Sequence, residues 1–357
     1  MNQVATTPKE VPANPVSCQS FLASLLKRFP ERSQAIFGLR FGLDGSEEKT
    51  LEEIGQTYGI TRERVRQVVD VLLKKMRAEL ADKETHPAVT RITTLLREHH
   101  GIMTLLAMKD KLAGKDAREG QALLALLTML PGVMSHKEAK DEKPFVAMTD
   151  FDMVRWNKVI DTAVVVLKNE SDVVDFKQLF VLVAAALQGQ LTLEETELKD
   201  YLAPSKKIEE NVFGRYGLSI WESIRPRGTR ERAHLILKVF AKPLHFREIA
   251  RLIDEHGLYK PGKKTHPQTV HNELIKDKRF VLVGRGTYAL SDWGYTRGTV
   301  RQVLANILKE HEEPMSREEL LKAVLKVRQV KKSTVIINLN TFFTKVGKNI
   351  YTLRDSK

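Results

Sequence analysis

Cysteine is nearly absent from this sequence, with Cys18 the single one among 357 residues. An internal disulfide is therefore excluded, and so is any Cys-x-x-Cys metal site. Long apolar runs are lacking too. The most apolar stretch, Leu179–Leu187, is far shorter than the roughly 18 residues that suggest a membrane-spanning helix. The opening segment, MNQVATTPKEVPANPVSC, has no apolar core, so it does not read as a secretory signal. A cytoplasmic protein is expected. Signatures of catalysis are missing as well, with no HExxH, no GxxxxGK[ST] and no GxSxG. His234, His245, His256, His266 and His271 crowd together in sequence. They keep no metal-ligand spacing and no cysteine accompanies them. We expect no metal, no cofactor, no small-molecule substrate and no enzymatic activity. Acidic residues are the last shortage. Their 45 face 58 Lys and Arg, a net charge of +13. That excess favours a polyanionic partner, without separating nucleic acid from an acidic membrane surface.

What is present centres on Thr50–Arg77, TLEEIGQTYGITRERVRQVVDVLLKKMR. It reads as a helix, a tight turn and a second helix. Thr50 and Glu53 have the spacing of a capping box. Gly55 keeps the first helix slim where the second must cross it, and Gly59 suits the left-handed residue that ends a helix. Thr61 caps the second helix, and Val65, Val68, Leu72 and Met76 recur at helical spacing toward the first. Arg62, Glu63, Arg66 and Gln67 fall on the opposite face, in the opening turns of the second helix. That is where helix-turn-helix proteins read base edges. The bland alternative is a solvated amphipathic helix.

Around this stretch the sequence predicts a mainly α fold. Residues 1–15 read as a disordered tail, and 16–80 as the helix-turn-helix domain. Residues 81–87 read as a hinge. Three helices and a β-hairpin, the order of a winged helix, then recur. The copies are a winged-helix-like domain at 88–150, a degenerate one at 151–226, a third at 227–296 and a C-terminal one at 297–357. Residues repeat as well as pattern. Gly214-Arg215-Tyr216-Gly217 compares with Gly284-Arg285-Gly286-Thr287-Tyr288, and Arg-Gly-Thr follows at Arg227–Thr229 and Arg297–Thr299. A period of roughly seventy residues suits one small domain per repeat. Tyr216, Trp221, Tyr288 and Trp293 recur at matching wing positions and are read as core plugs.

Two family resemblances follow from these residues. Arg40-Phe41-Gly42-Leu43, TLEEIG and GITRERVRQ together resemble region 4 of the sigma-70-type bacterial sigma factors, over about residues 30–77. PLHFREIARLI, HPQTVHNELIKD and RFVLVGRGTYALSDWGY are similar to the HARE-type winged helix, also the fold of the RNA polymerase delta subunit, most clearly over 229–295. The first resemblance implies binding of duplex DNA at a −35-type promoter element and docking on the β flap of bacterial RNA polymerase. It also implies a place at the nucleoid. It places Arg62, Glu63, Arg66 and Gln67 on the base-contacting positions. Chemistry agrees, since Arg pairs with guanine, Gln with adenine, and Glu accepts from cytosine. Arg40, Lys49, Thr61, Arg64 and Lys74 are candidates for backbone contacts, which set register. In the third winged helix, Thr265 is expected to cap a helix starting at His266. Gln268, His271, Asn272 and Lys276 are expected to point outward, with Arg285 at the hairpin tip. In the last copy Lys331 and Lys332, with Lys345 and Lys348, form a similar basic edge. About fifty residues precede the reader, too few for the region that melts the −10 element. The expectation is a transcription regulator, not an autonomous sigma factor. The competing reading is an interaction scaffold for polymerase or a DNA-modification system, with DNA contact secondary.

Overall fold

The computed structural model describes residues 17–82, 86–259, 262–295, 298–328 and 330–354. The predicted tail at 1–15, the centre of the predicted hinge and Arg297 lie outside them. The chain divides into two compact units, 1–209 and 210–357.

The first unit opens with α1 (Cys18–Leu26), α2 (Glu31–Phe41), α3 (Leu51–Tyr58) and α4 (Arg62–Ala81). The expected capping box forms. Thr50 Oγ1 accepts from the Glu53 amide, and the Glu53 carboxylate accepts from the Thr50 amide at 2.7 Å. Gly59 takes the left-handed conformation, φ 65°, which a Cβ would oppose. Gly55 is required by packing. A Cβ there would lie 2.6 Å from the Ile60 carbonyl oxygen. Ile36, Ile54, Val65 and Val69 form the small core under the turn. Val69 takes the buried place expected for Val68, which is only half-buried.

The second half of α4 belongs to a different core. Leu72, Met76 and Leu80 pack with Phe21, Leu22, Leu25 and Phe37 and with residues of the next module, from Ala88 to Val146. That module comprises α5 (Pro87–Glu98), β1 (Ile102–Thr104), α6 (Leu105–Leu112), α7 (Ala117–Leu127), β2 (Val133–His136) and β3 (Phe145–Met148). Its antiparallel sheet has the order β1-β3-β2. A short strand, β1, stands where the pattern suggests a helix from Met103. The Glu119 carboxylate accepts from Ser17 Oγ and from the Cys18 and Gln19 amides, at 2.6–3.0 Å, and so caps α1 from α7. An anion at a helix N-terminus is favoured by the helix dipole. Cys18 is buried there, and burial pushes its thiol up to about 12. A thiol so rarely ionised is unreactive.

α8 (Met153–Glu170), β4 (Val174–Asp175), α9 (Phe176–Leu187), α10 (Glu195–Leu202) and β5 (Ile208–Glu210) continue the chain. Within the first unit, one carboxylate ties α10 to the turn after α5. Asp200 lies 2.8 Å from both His99 Nδ1 and His100 Nδ1.

The second unit holds β6 (Arg215–Leu218) and two winged helices. The first is α11 (Thr229–Phe240), β7 (Leu244–His245), α12 (Phe246–Glu255), α13 (Pro267–Lys276), β8 (Phe280–Gly284) and β9 (Thr287–Leu290). The second is α14 (Val300–His311), β10 (Met315–Ser316), α15 (Arg317–Val327), α16 (Lys332–Phe342), β11 (Thr344–Gly347) and β12 (Ile350–Thr352). Their sheets, β7-β9-β8 and β10-β12-β11, share one antiparallel order. A strand of two residues after the first helix completes each hairpin. Such strands are too short to show an alternating pattern. Each module has its own apolar core, one around Ile236, Ile249 and Tyr288, the other around Leu304, Leu320 and Leu339. Of the four expected plugs Tyr288 is buried, while Tyr216, Trp221 and Trp293 are half-buried.

Candidate nucleic-acid interface

The cap of α4 fixes where its side chains point. Thr61 Oγ1 accepts from the Arg64 amide at 3.2 Å, so the helix begins at Arg62. Val65 and Val69 then face the core. Arg62, Glu63, Arg66 and Gln67 are all exposed on one side of the first two turns. The structure therefore brings the four candidate reading residues together.

These side chains are not idle in the free protein. Arg66 reaches Glu63 through Nε and Nη2, at 3.0 and 2.6 Å, and Asp70 through Nη1 at 2.6 Å. Arg64 Nη1 donates to Gln67 Oε1 at 3.2 Å. The Arg66 guanidinium holds the Glu63 carboxyl below its ordinary value. All of these pairs are exposed and lie within one helix, where such contacts are weak and screened by salt. A guanine or phosphate could replace them. Asp70 is a partner that the sequence reading misses. Its signal is the spacing, since it stands four residues after Arg66.

The candidate backbone contacts divide. Lys74 and Arg64 are exposed. Arg40 is engaged within the fold, donating from Nη1 to the Lys49 carbonyl at 3.1 Å. The Lys49 amide in turn donates to the Leu39 carbonyl. These bonds close the 42–49 loop and place Thr50 to start α3.

In α13, Gln268 and Asn272 are exposed, with Gln268 Nε2 donating to Asn272 Oδ1 at 3.2 Å. His271 departs from the outward expectation. It is half-buried, stacked on Phe246 with ring centres 4.5 Å apart, and edge-on to Tyr288. Thr265 departs too. Helix α13 starts at Pro267 with His266 at the cap position. Thr265 is buried, and its amide and hydroxyl both donate to the Asp254 carboxylate, the hydroxyl at 2.6 Å. A buried hydroxyl needs such a partner, and the acid at the end of α12 supplies it.

The charges after α13's midpoint are also engaged. Glu273 accepts from Arg230 Nη2 of α11 at 2.7 Å and lies 3.4 Å from Lys276. Asp277 accepts from Arg279 at 2.7 Å. Arg285 stays exposed at the hairpin tip. Its neighbour Gly286 has φ +64°, and a Cβ there would lie 2.6 Å from His245 and 2.9 Å from Phe246.

The C-terminal winged helix contrasts with this. Over residues 330–354 the basic side chains are Lys331, Lys332, Lys345, Lys348 and Arg354, and no Asp or Glu occurs. Lys331 and Lys332 are exposed at the start of α16, where the dipole adds to their positive field.

Among the described residues no group of three His, Cys, Asp or Glu side chains is placed to hold a metal ion. Nor is any described helix long and apolar enough to cross a membrane.

Comparison with known proteins bears on two of these modules. RNA polymerase sigma factor SigA of Bacillus sp is 40% identical over 76 residues, 21% of this chain and 20% of that protein. The SigA proteins of Listeria monocytogenes serovar 1/2a and Listeria innocua serovar 6a are each 36% identical over 83 residues, 23% of this chain and 22% of theirs. The chain thus matches about a fifth of the length of these relatives. Residues 25–78 match the family model of sigma-70, region 4, and residues 228–293 match that of HARE-HTH, the ASXL and restriction endonuclease HTH domain. The chain joins a segment similar to sigma-70 region 4 to a segment similar to HARE-HTH, in that order.

Proposed function

We propose that this chain is a DNA-binding transcription regulator that reads a −35-type promoter sequence through the first two turns of α4. The observation that carries this reading is the exposure of Arg62, Glu63, Arg66 and Gln67 on one face of a capped second helix. A second helix so placed fits the major groove. There Arg62 and Arg66 would donate to guanine, Gln67 would pair with adenine and Glu63 would accept from cytosine. Lys74 and Arg64 would add phosphate contacts, and so would Lys331 and Lys332. Each such contact makes binding more dependent on salt. The SigA relatives are named as sigma factors of RNA polymerase. Their likeness over region 4 supports polymerase as the partner, with the β flap as the docking point.

Selection of bound duplexes from a random pool tests the reading. We expect a defined motif for the full-length protein, lost in Arg66→Ala with Gln67→Ala. Equal binding of selected and random duplexes would sink it. The full chain is the right material, because Leu72, Met76 and Leu80 share their core with residues beyond 88.

A further inference from the structure

Within the second unit, α13, β8 and β9 meet the start of α14 and the end of α15 around a cleft of about 410 Å³. Leu274, Ile275, Phe280 and Leu282 give it apolar walls. Two polar side chains in its lining have unmet hydrogen-bonding capacity. Arg328 follows α15 directly and is 7% exposed. Its Nη2 donates to the Leu282 carbonyl at 3.1 Å, while its buried Nε and Nη1 have no acceptor among the described residues. Tyr288 is 2% exposed, and its hydroxyl is equally without a partner among them. The lining includes no acidic side chain.

This arrangement is out of balance as it stands. Buried polar groups are nearly always hydrogen-bonded, and an orphan calls for an explanation. A buried guanidinium keeps its proton, so its charge stays in an apolar wall without a counter-ion. Burial alone draws its pKa down. An anion at the cleft floor would meet it away from bulk water, where a charge-assisted hydrogen bond is strongest. The volume lies at the small end of ligand pockets, and a mostly apolar lining with few polar groups is their usual make-up.

We propose that this cleft binds a small amphiphilic anion, a carboxylate or phosphate group carried on an apolar body. Arg328 is the charge partner and the Tyr288 hydroxyl the second donor. Leu274, Phe280 and Leu282 cover the body. Because Arg328 belongs to the C-terminal winged helix and Tyr288 to its neighbour, an occupied cleft holds the two modules to each other.

Calorimetric titration and thermal melting of the full-length protein test this with hexanoate, hexyl phosphate and hexanol. The two anions are expected to bind and to raise Tm, and the stronger of them identifies the headgroup. Hexanol, with the same body and no charge, is expected to bind at least about tenfold more weakly. Arg328→Met is expected to abolish binding of both anions. Its own Tm should match or exceed that of the parent, because an uncompensated buried charge is replaced by an apolar chain. Tyr288→Phe should weaken binding by about three- to tenfold. No binding of either anion to the parent overturns the proposal. So does unchanged affinity in Arg328→Met, or hexanol binding as well as hexanoate. Should Arg328→Met fail to fold, Tyr288→Phe and the hexanol control decide the matter, and unchanged affinity in Tyr288→Phe counts against the site.

Discussion

Helices α4 and α13 are both the second helix of a helix-turn-helix pair, yet they offer different things to a partner. In α4 the ion pairs of the reading face are made within the helix, between Arg66, Glu63 and Asp70. In α13 the acids are matched from outside it, Glu273 by Arg230 of α11 and Asp277 by Arg279. His271 is drawn into the edge of the core. Exchanging the pairs of α4 for contacts to a ligand disturbs no packing. Exchanging those of α13 loosens the joint between two helices. Which polar residues are available is therefore set by tertiary partners, and outward spacing alone does not decide it.

The comparison can be broken most sharply at the reading face. Arg66→Ala with Gln67→Ala should cost about 2–6 kcal/mol of specific binding, taking about 1–3 kcal/mol per bidentate contact. Gln268→Ala with Asn272→Ala should change it by no more than about 0.5 kcal/mol, the usual range for surface substitutions. Titrations of both variants on a selected duplex decide, and equal losses would erase the distinction. Next in size is the packing under α4. Gly55→Ala should destabilise the fold by about 1–3 kcal/mol, because the Ile60 carbonyl must move. Chemical denaturation of the parent and the variant measures this.

The salt dependence of binding to random duplex gives a third test. Replacing Lys331, Lys332, Lys345 and Lys348 by Ala should lower the slope of log K against log salt by about 0.9 for each phosphate no longer neutralised. An unchanged slope would remove the C-terminal winged helix from the interface. The smallest effect concerns acid. Hydrogen bonding from Arg279 holds the Asp277 carboxyl below its ordinary value, and Arg230 does the same for Glu273. A depressed carboxyl stabilises the folded state above its unfolded pKa, and that contribution fades as pH falls through and below the carboxylate range. Asp277→Asn should therefore flatten the acid limb of the melting profile slightly. Glu63→Gln in α4 should leave that limb unaltered, its carboxyl being fully open to solvent.

Local features were the legible ones. The Thr50–Glu53 capping box, the left-handed Gly59 and the close crossing at Gly55 depend on residues within a few positions of each other. So does the gathering of Arg62, Glu63, Arg66 and Gln67. The exchange of Val68 for Val69 has a simple cause. Apolar residues occupy both positions, and only the direction of α2 and α3 selects between them. Long-range partners leave no trace in spacing. Nothing near Thr265 indicates that Asp254, rather than a helix amide, takes its hydroxyl. Nothing near Cys18 points to Glu119, a hundred residues away. The orphan nitrogens of Arg328 are equally hidden, since arginine is ordinarily a surface residue.

One further consequence lies in the length of α4. Its 20 residues span about 30 Å at 1.5 Å per residue. The front of this rod carries the reading face, and its rear is embedded with Phe21 and Leu126 in the core shared with the next module. The rod has no slack between its two ends. It works as a ruler, so that any body gripping the following winged helix is held at one set distance and one set rotation from the bases being read.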